Sequence, residues 1–506
     1  MRKVFLAAAL FLISLYLNLA AGINKWDEAW FLQVVRRVHQ GEVLYRDVFY
    51  GTGPLAVILT MPLIRLIGVE ILAVKIVVAA SYTASLLLGM RILERIGADP
   101  KASLLFLGAN LLFAPPSPHA PYQSLANTFL MAAFDSTIAA LSTADLRSKQ
   151  ILLARAGSAA GLSFAAKQNI GGYVLLAILG ALLVQRWGTS RPLRRWTIEI
   201  RTTLLAFLLA VALLFLPVWL SGGGSKFWDY GLINKQTYLR LAGIPYTQGL
   251  RRVLRSPPIL SPQRTMEQRL WTLRFMAFLL PFLAGVFWIA GLLRIPSTLR
   301  PHWIAIGLFA GAAFLGIFPR ADYDRLIYAI PALSIVILGA WSAIKTRSWN
   351  IMVERGAGAF IALVLLIALI VPSLRVLQGR LTISTLPHFH GPFIDPALQS
   401  QIQKETTQLQ TRARDNALFL LFPTAGFYYL VAGLHNPTPF DYPTVTSFGQ
   451  NGQKEIIQAI REGRIRWICY RRWDWNLRPV EIETFVEQEM EYTEDLGICW
   501  LYRASP

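Results

Sequence analysis

Cysteine is almost absent: Cys469 and Cys499 are the only two in 506 residues, so no thiolate metal cluster can form. Histidine is nearly as scarce, with six copies and no metal-ligand spacing among them. Charge is thin at 15% of residues, whereas 54% are hydrophobic. That balance excludes an ordinary soluble domain, because apolar runs recur at about 20 residues each, the length that crosses a hydrocarbon core. The chain shows no internal repeat and no low-complexity segment. Ionisable residues sit mostly at the ends of the apolar runs rather than at their middles.

Acidic residues are the minority charge, 29 against 49 Lys and Arg. Residues 378–506 hold 12 basic and 14 acidic side chains, so the preceding 377 residues carry +22 and this tail −2. The basic residues cluster at span ends, as cytoplasmic loops do, and the charge therefore reads as topology and not as nucleic-acid binding.

Residues 1–22 have the basic start and small residues of a cleaved signal peptide, but an apolar run of about 18 residues followed by further spans favours a retained first helix. With Met1 cytoplasmic, spans are predicted near 4–23, 71–93, 102–117, 124–143, 151–166, 170–186, 202–220, 271–293, 302–318, 326–343 and 357–376. The segment Pro54–Gly68 is short, carries Pro54, Pro62 and Arg65, and reads as re-entrant or interfacial. The clusters Arg91/Arg95/Lys101, Arg147/Lys149/Arg155, Arg186/Arg191/Arg194/Arg195, Arg294/Arg300 and Lys345/Arg347/Arg355 then all face the cytoplasm. Loops 24–70, 117–123, 167–169, 221–270 and 319–325 face outward, as does the tail. The tail alternates helix-like segments (Pro396–Arg412, Lys454–Glu462) with short apolar strands such as NALFLLF, RWICY and GICWLYR. It is predicted to be a small soluble α/β domain beside an α-helical polytopic domain of about eleven spans over 1–377. Cys469 and Cys499 lie in two of its strands, where they could pair or remain as buried thiols.

The charged, aromatic island NKWDEAWFLQVVRRVHQGEVLYRDVFYGTG at 24–53 is the leading candidate for chemistry. If it begins as a helix over Trp26–Gln40, then Trp30, Phe31, Val34, Val35 and Val38 form an apolar stripe with Asp27 on it. A carboxylate there either favours the helix start or acts as a base, for which reduced solvation would make it a stronger proton acceptor. The outer loops also gather Glu28, Arg46, Asp47, His119, Tyr122, Gln123, Lys167, Gln168, Asn169, Arg320, Asp322 and Arg325. Lys167, Arg320 and Arg325 stand at outer span ends, where topology does not call for positive charge. They either snorkel to lipid headgroups or bind phosphate. The long loop 221–270 opens with Ser221 and three glycines and holds Arg240, Arg251, Arg252, Arg255 and Arg264. It suits either a mobile cover over an anionic substrate or an amphipathic segment on anionic lipid.

Together WDEAW after the first span, GEVLYRDVFYGTGPL, AAKQNIGG, FPRADYDRLIYAIPAL and the tail segment GFYYLVAGLHNPTPFDY resemble the GT-C superfamily of integral-membrane glycosyltransferases. In particular they resemble its protein mannosyltransferase and aminoarabinose transferase relatives. The resemblance implies a polyprenyl-phosphate sugar donor and an acidic base in the first outer loop, Asp27 with Glu28 as neighbour or substitute. It implies a lipid, glycan or protein acceptor on the outer face of a bacterial plasma membrane. The second outer loop departs from the pattern, offering His119, Tyr122 and Gln123 where many relatives carry an acid. No obligatory cofactor is therefore expected, although Asp27 and Glu28 together could hold a divalent cation. A transporter or flippase for a lipid-linked sugar is the alternative. The scarcity of mid-span charge and the lack of inverted halves argue against it.

Overall fold

The computed structural model describes residues 2–116, 119–188, 192–255, 266–344, 350–412, 418–474 and 476–504. Arg191, Lys345 and Arg347 of the basic clusters, Arg264 of the long outer loop, and Asn416 and Ala417 of the first predicted tail strand lie outside the described residues. The first apolar run forms α1 (Arg2–Ala20), and the charged island folds as α2 (Asp27–His39) leading to α3 (Leu55–Ile67). Then come α4 (Ile71–Arg95), α5 (Pro100–Phe113), α6 (Pro121–Ser142), α7 (Leu146–Ala166), α8 (Gln168–Gly188) and α9 (Leu193–Leu220). The long loop holds α10 (Gly224–Trp228), α11 (Lys235–Leu241) and α12 (Tyr246–Arg255). The apolar part continues with α13 (Met266–Phe275), α14 (Leu280–Arg294), α15 (Arg300–Leu315), the single turn α16 (Tyr323–Leu326), α17 (Ile330–Ile344) and α18 (Asn350–Leu377).

Every predicted span coincides with a helix or, for α13–α14, a helical run. Among the described residues, seven of these are long and apolar enough to cross a membrane: α1, α4, α6, α8, α9, the α13–α14 run and α18. The chain is thus an integral membrane protein. Length and composition alone do not fix eleven crossings, because α5, α15 and α17 are shorter and α7 carries Arg147, Lys149 and Arg155. At 13 residues, α3 is about 20 Å long and falls short of a hydrocarbon core of about 30 Å.

Local chemistry sets the boundaries. Asp99 accepts a bond from the Lys101 amide at 2.9 Å ahead of Pro100, and Asp145 accepts from the Ser148 amide at 2.8 Å, so both helices start on carboxylate caps. Gly157 and Gly161 let α7 touch α9: a methyl at Gly161 would stand 2.7 Å from the Phe207 carbonyl, and one at Gly157 would collide with that of Thr203. At the predicted cytoplasmic ends, some basic residues have buried partners as well as a topological role. Lys149 meets Glu199 at 2.7 Å and Gln185 at 2.8 Å, and Arg95 meets Asp135 at 2.6 Å.

The C-terminal region begins with a two-stranded hairpin, β1 (Thr382–Ile383) and β2 (Phe393–Ile394), followed by α19 (Pro396–Arg412). Its four-stranded sheet runs β3 (Leu418–Leu421), β4 (Trp467–Tyr470), β6 (Trp500–Arg503) and β5 (Glu491–Asp495) in spatial order, with β3 and β4 parallel and the other pairs antiparallel. The helices α20 (Ala425–Val431), α21 (Gly452–Arg461) and α22 (Val480–Glu489) complete it. The polar strand β5 carries no hydrophobic run and escapes a pattern search. Cys469 and Cys499 form a disulfide, Cα atoms 5.5 Å apart, which resolves the alternative left by their sequence.

This region does not stand away from the helices. The Arg37 guanidinium on α2 donates to Asp441 at 2.9 Å and to the Thr438 carbonyl at 2.8 Å, and Gln33 donates to Asp441 at 3.2 Å. Gly426 of α20 comes so close that a side chain there would stand 3.0 Å from the Trp30 Cα. The stripe of α2 is the reason: Trp30, Phe31, Val34 and Val35 are all buried, and α2 packs against α3 and α4 as well as α20.

Candidate functional site

A cavity of about 920 Å³ opens at this end of the helical bundle. It is lined from the first loop by Asp27, Trp30, Phe49 and Thr52, from the helix ends by Tyr122, Lys167, Gln168 and Asn169, and from the long loop by Tyr230, Lys235 and Tyr238. Arg320 and Arg325 come from the segment before α17, and the C-terminal region supplies Tyr442, Thr446, Ser447 and Leu477.

Asp27 occupies the first turn of α2, but its carboxylate does not serve as the cap. The Asn24 side chain does this work by accepting from the amides of Trp26 and Asp27 at 2.8 and 3.2 Å. Asp27 instead accepts from Arg325 at 3.3 Å, and its side chain keeps 21% exposure to the cavity. Arg325 is held in place by Asp322, whose carboxylate caps its turn through the Arg325 amide at 3.1 Å and pairs with Arg320 at 3.1 Å. The second Arg325 Nη is buried, and the guanidinium lies beside the Tyr122 hydroxyl.

Lys167 lies at the junction of α7 and α8, where its ammonium group donates to the Gln123 side chain and reaches the Gly316 carbonyl at 3.5 Å. Burial, with Arg325 and Lys235 nearby, holds its pKa well below the usual lysine range. The backbone reaches this spot because Gly53 lacks a side chain that would strike the Ala165 carbonyl. Gln168 is buried with its amide nitrogen unpartnered, and Asn169 lines the wall beside it.

Other expected residues fall elsewhere. Glu28, one position from Asp27, is fully buried and faces the interior, with Lys75 of α4 at 3.0 Å; it does not line the cavity. Consecutive helical residues point about 100° apart, so one carboxylate reaches the cavity while its neighbour reaches the core. Arg46 and Asp47 pair with one another at 2.9 Å on the surface, Arg46 also reaching the Ser221 carbonyl at 3.4 Å, and they stay outside the cavity lining. His119 is buried behind the wall, 3.9 Å from Asp324, and burial lowers its pKa. Among the described residues no three His, Cys, Asp or Glu side chains gather as a metal site requires.

Lys235, Tyr238 and Tyr442 are lining residues that the sequence does not single out. Burial and the neighbouring Arg325 push the Lys235 pKa down to about 8. Asn234 fastens this segment to the C-terminal region by donating to the Thr446 carbonyl at 2.7 Å, and a short backbone bridge ties Ile244 to Arg320. Basic and aromatic residues of a long loop obey no topological rule, and Tyr442 comes from the C-terminal region, so no signal could have marked these as site residues.

A cationic, aromatic cavity, with Asp27 the one carboxylate among its described lining residues, is set at the end of a helical bundle and roofed by the C-terminal region of a polytopic membrane protein. No protein-family model and no curated protein sequence matches the chain. Solved structures do match: ArnT from Cupriavidus metallidurans bound to undecaprenyl phosphate superposes with a TM-score of 0.59 at 14% identity, over 100% of this chain and 99% of that one. The apo state of the same protein gives 0.60 at 13% identity over the same shares. The Archaeoglobus fulgidus oligosaccharyltransferase gives 0.50 at 11% identity, over 92% of this chain and 67% of that chain. At these identities the likeness establishes the fold.

Proposed function

We propose that this protein is a membrane glycosyltransferase that moves a sugar from a polyprenyl-phosphate donor to an acceptor hydroxyl of a glycan, lipid or protein, with inversion at the anomeric carbon. The observation that carries the reading is the Asp27–Arg325 pair on the wall of a roomy cavity, where a base and a phosphate-binding fork stand side by side. That a protein of the same fold binds undecaprenyl phosphate supports a donor of that kind.

In this scheme the acceptor hydroxyl gives its proton to Asp27 as its oxygen bonds to the anomeric carbon. The bond from that carbon to the phosphate oxygen breaks, and the electron pair leaves with the polyprenyl phosphate. Arg325 has two roles in sequence. Before donor entry it pairs with Asp27; once the donor phosphate takes up the guanidinium, the Asp27 carboxylate is freed to face the acceptor hydroxyl. Arg320 and Lys235 add positive charge where the leaving phosphate develops its own, while Lys167 acts as a hydrogen-bond donor. The disulfide supports an extracytoplasmic placement of the cavity and its roof, since such bonds persist in oxidising compartments. Neither carboxylate needs a divalent cation in this scheme.

The test compares cells carrying the intact chain with cells carrying Asp27→Asn at equal abundance, by mass spectrometry of lipid-linked sugars and envelope glycans. One sugar missing from a glycan while its polyprenyl-phosphate donor accumulates is the expected result. Unchanged glycans and donor pools would overturn the reading.

A further inference from the structure

The cavity contains a second arrangement that the proton-transfer scheme does not use. Trp30 of α2 and Tyr442 of the C-terminal region lie with ring centroids 5.6 Å apart and planes 35° apart, and both line the cavity. They form a continuous aromatic plate to which two parts of the chain contribute. The Tyr442 hydroxyl sits in the electrostatic neighbourhood of Asp27, Arg320 and Tyr238, and burial together with Asp27 raises its pKa well above the usual range. Its position is fixed from behind, because the preceding residue Asp441 is fully engaged by Arg37, Gln33 and Asn436. Trp30 is held as firmly, packed on Phe49 at 6.0 Å and on Tyr50 at 5.6 Å.

Resting on the transferase reading above, we infer that this plate is the seat of the transferred sugar, that Tyr442 is a specificity-determining residue, and that the sugar is uncharged. The apolar C–H face of a sugar ring complements the electron-rich face of an indole or phenol ring. Asp27 lines the same cavity and acts electrostatically on Tyr442. Charge narrows the choice. Asp27 is the only carboxylate among the described lining residues and already belongs to Arg325, whereas Lys235, Arg320 and Arg325 line the same space as cations. An ammonium group on the sugar would meet only like charge and a carboxylate with a partner. The cations serve the donor phosphate, and the aromatic wall serves the neutral ring.

The test measures affinity of the purified full-length protein in detergent for three probes: undecaprenyl phosphate, a polyprenyl-phosphate neutral hexose, and a polyprenyl-phosphate amino sugar. The neutral donor is expected to bind about tenfold more tightly than undecaprenyl phosphate, and the amino sugar about tenfold more weakly than the neutral donor. Tyr442→Ala should weaken the neutral donor several-fold more than undecaprenyl phosphate, with Tyr442→Phe restoring most of the difference. An amino sugar bound as tightly as the neutral one overturns the inference, as does a Tyr442→Ala loss of equal size for every probe. The wild-type comparison decides the charge question even if Tyr442→Ala fails to fold. Failure of the chain to bind any of the three would overturn the transferase reading itself, whereas a reversed sugar preference would leave that reading standing.

Discussion

Two ion pairs begin one residue apart and end in different worlds. Asp27 meets Arg325 at 3.3 Å on a cavity wall, with side chains 21% and 12% exposed, while Glu28 meets Lys75 at 3.0 Å with both side chains fully buried. Lys75 also donates to the Asn18 and Gly22 carbonyls at 3.1 and 3.0 Å, so the second pair stitches α1, α2 and α4 together. The first stands on the wall of a cavity with room for a ligand. An ion pair surrounded by protein on every side can only hold structure, whereas one that faces a cavity can exchange its partner for a substrate.

The largest effect that could break this contrast is on turnover. Asp27→Asn should lower transfer by roughly 100- to 10,000-fold, the usual contribution of a positioned general base, while the thermal midpoint in detergent stays near that of the intact protein. A large fall in midpoint would put Asp27 in the same structural class as Glu28. Next in size, Glu28→Gln or Lys75→Met should each destabilise the fold by about 3–5 kcal/mol, because either leaves an uncompensated buried charge or dipole. The double replacement Glu28→Gln with Lys75→Met should recover much of that loss in thermal or denaturant unfolding. If Glu28→Gln abolished transfer in a protein of unchanged stability, the contrast would fail.

A smaller effect sharpens it. The Lys235 pKa is lowered from 10.5 to about 8 by burial and by Arg325, so the ammonium is mostly charged at neutral pH and loses its proton above it. Affinity for undecaprenyl phosphate should fall about three- to tenfold as pH rises through this range, and Lys235→Arg should flatten the profile. The sign for stability is opposite. Between about 8 and 10.5 the unfolded chain binds the proton that the folded one has released, so this group's contribution to stability increases with pH across that window. A pH-independent affinity would remove Lys235 from the phosphate site.

The placement of apolar helices was legible in the sequence because spans announce themselves by length and their ends by charge. The same logic exposed Lys167, Arg320 and Arg325, whose charges are misplaced for topology alone, and the structure brings all three to one cavity with Asp27. The division of labour between Asp27 and Glu28 was not legible, since it depends on the rotation of α2 about its axis and on Lys75, which hides within an apolar run. Tyr442 and Lys235 were not legible either. They reach the cavity through long-range contacts, the Arg37–Asp441 pair and the Asn234–Thr446 bond, that no local pattern encodes. Arg46 and Asp47 illustrate the converse: adjacent opposite charges in a promising loop that simply neutralise one another at the surface.

The wall formed by Tyr442, Thr446, Ser447 and Leu477 has a consequence for biosynthesis. These residues come after the described apolar helices, so a chain still being made has Asp27, Arg325 and its membrane helices but no finished wall around the cavity. The chamber is therefore completed only when the C-terminal region folds onto α2.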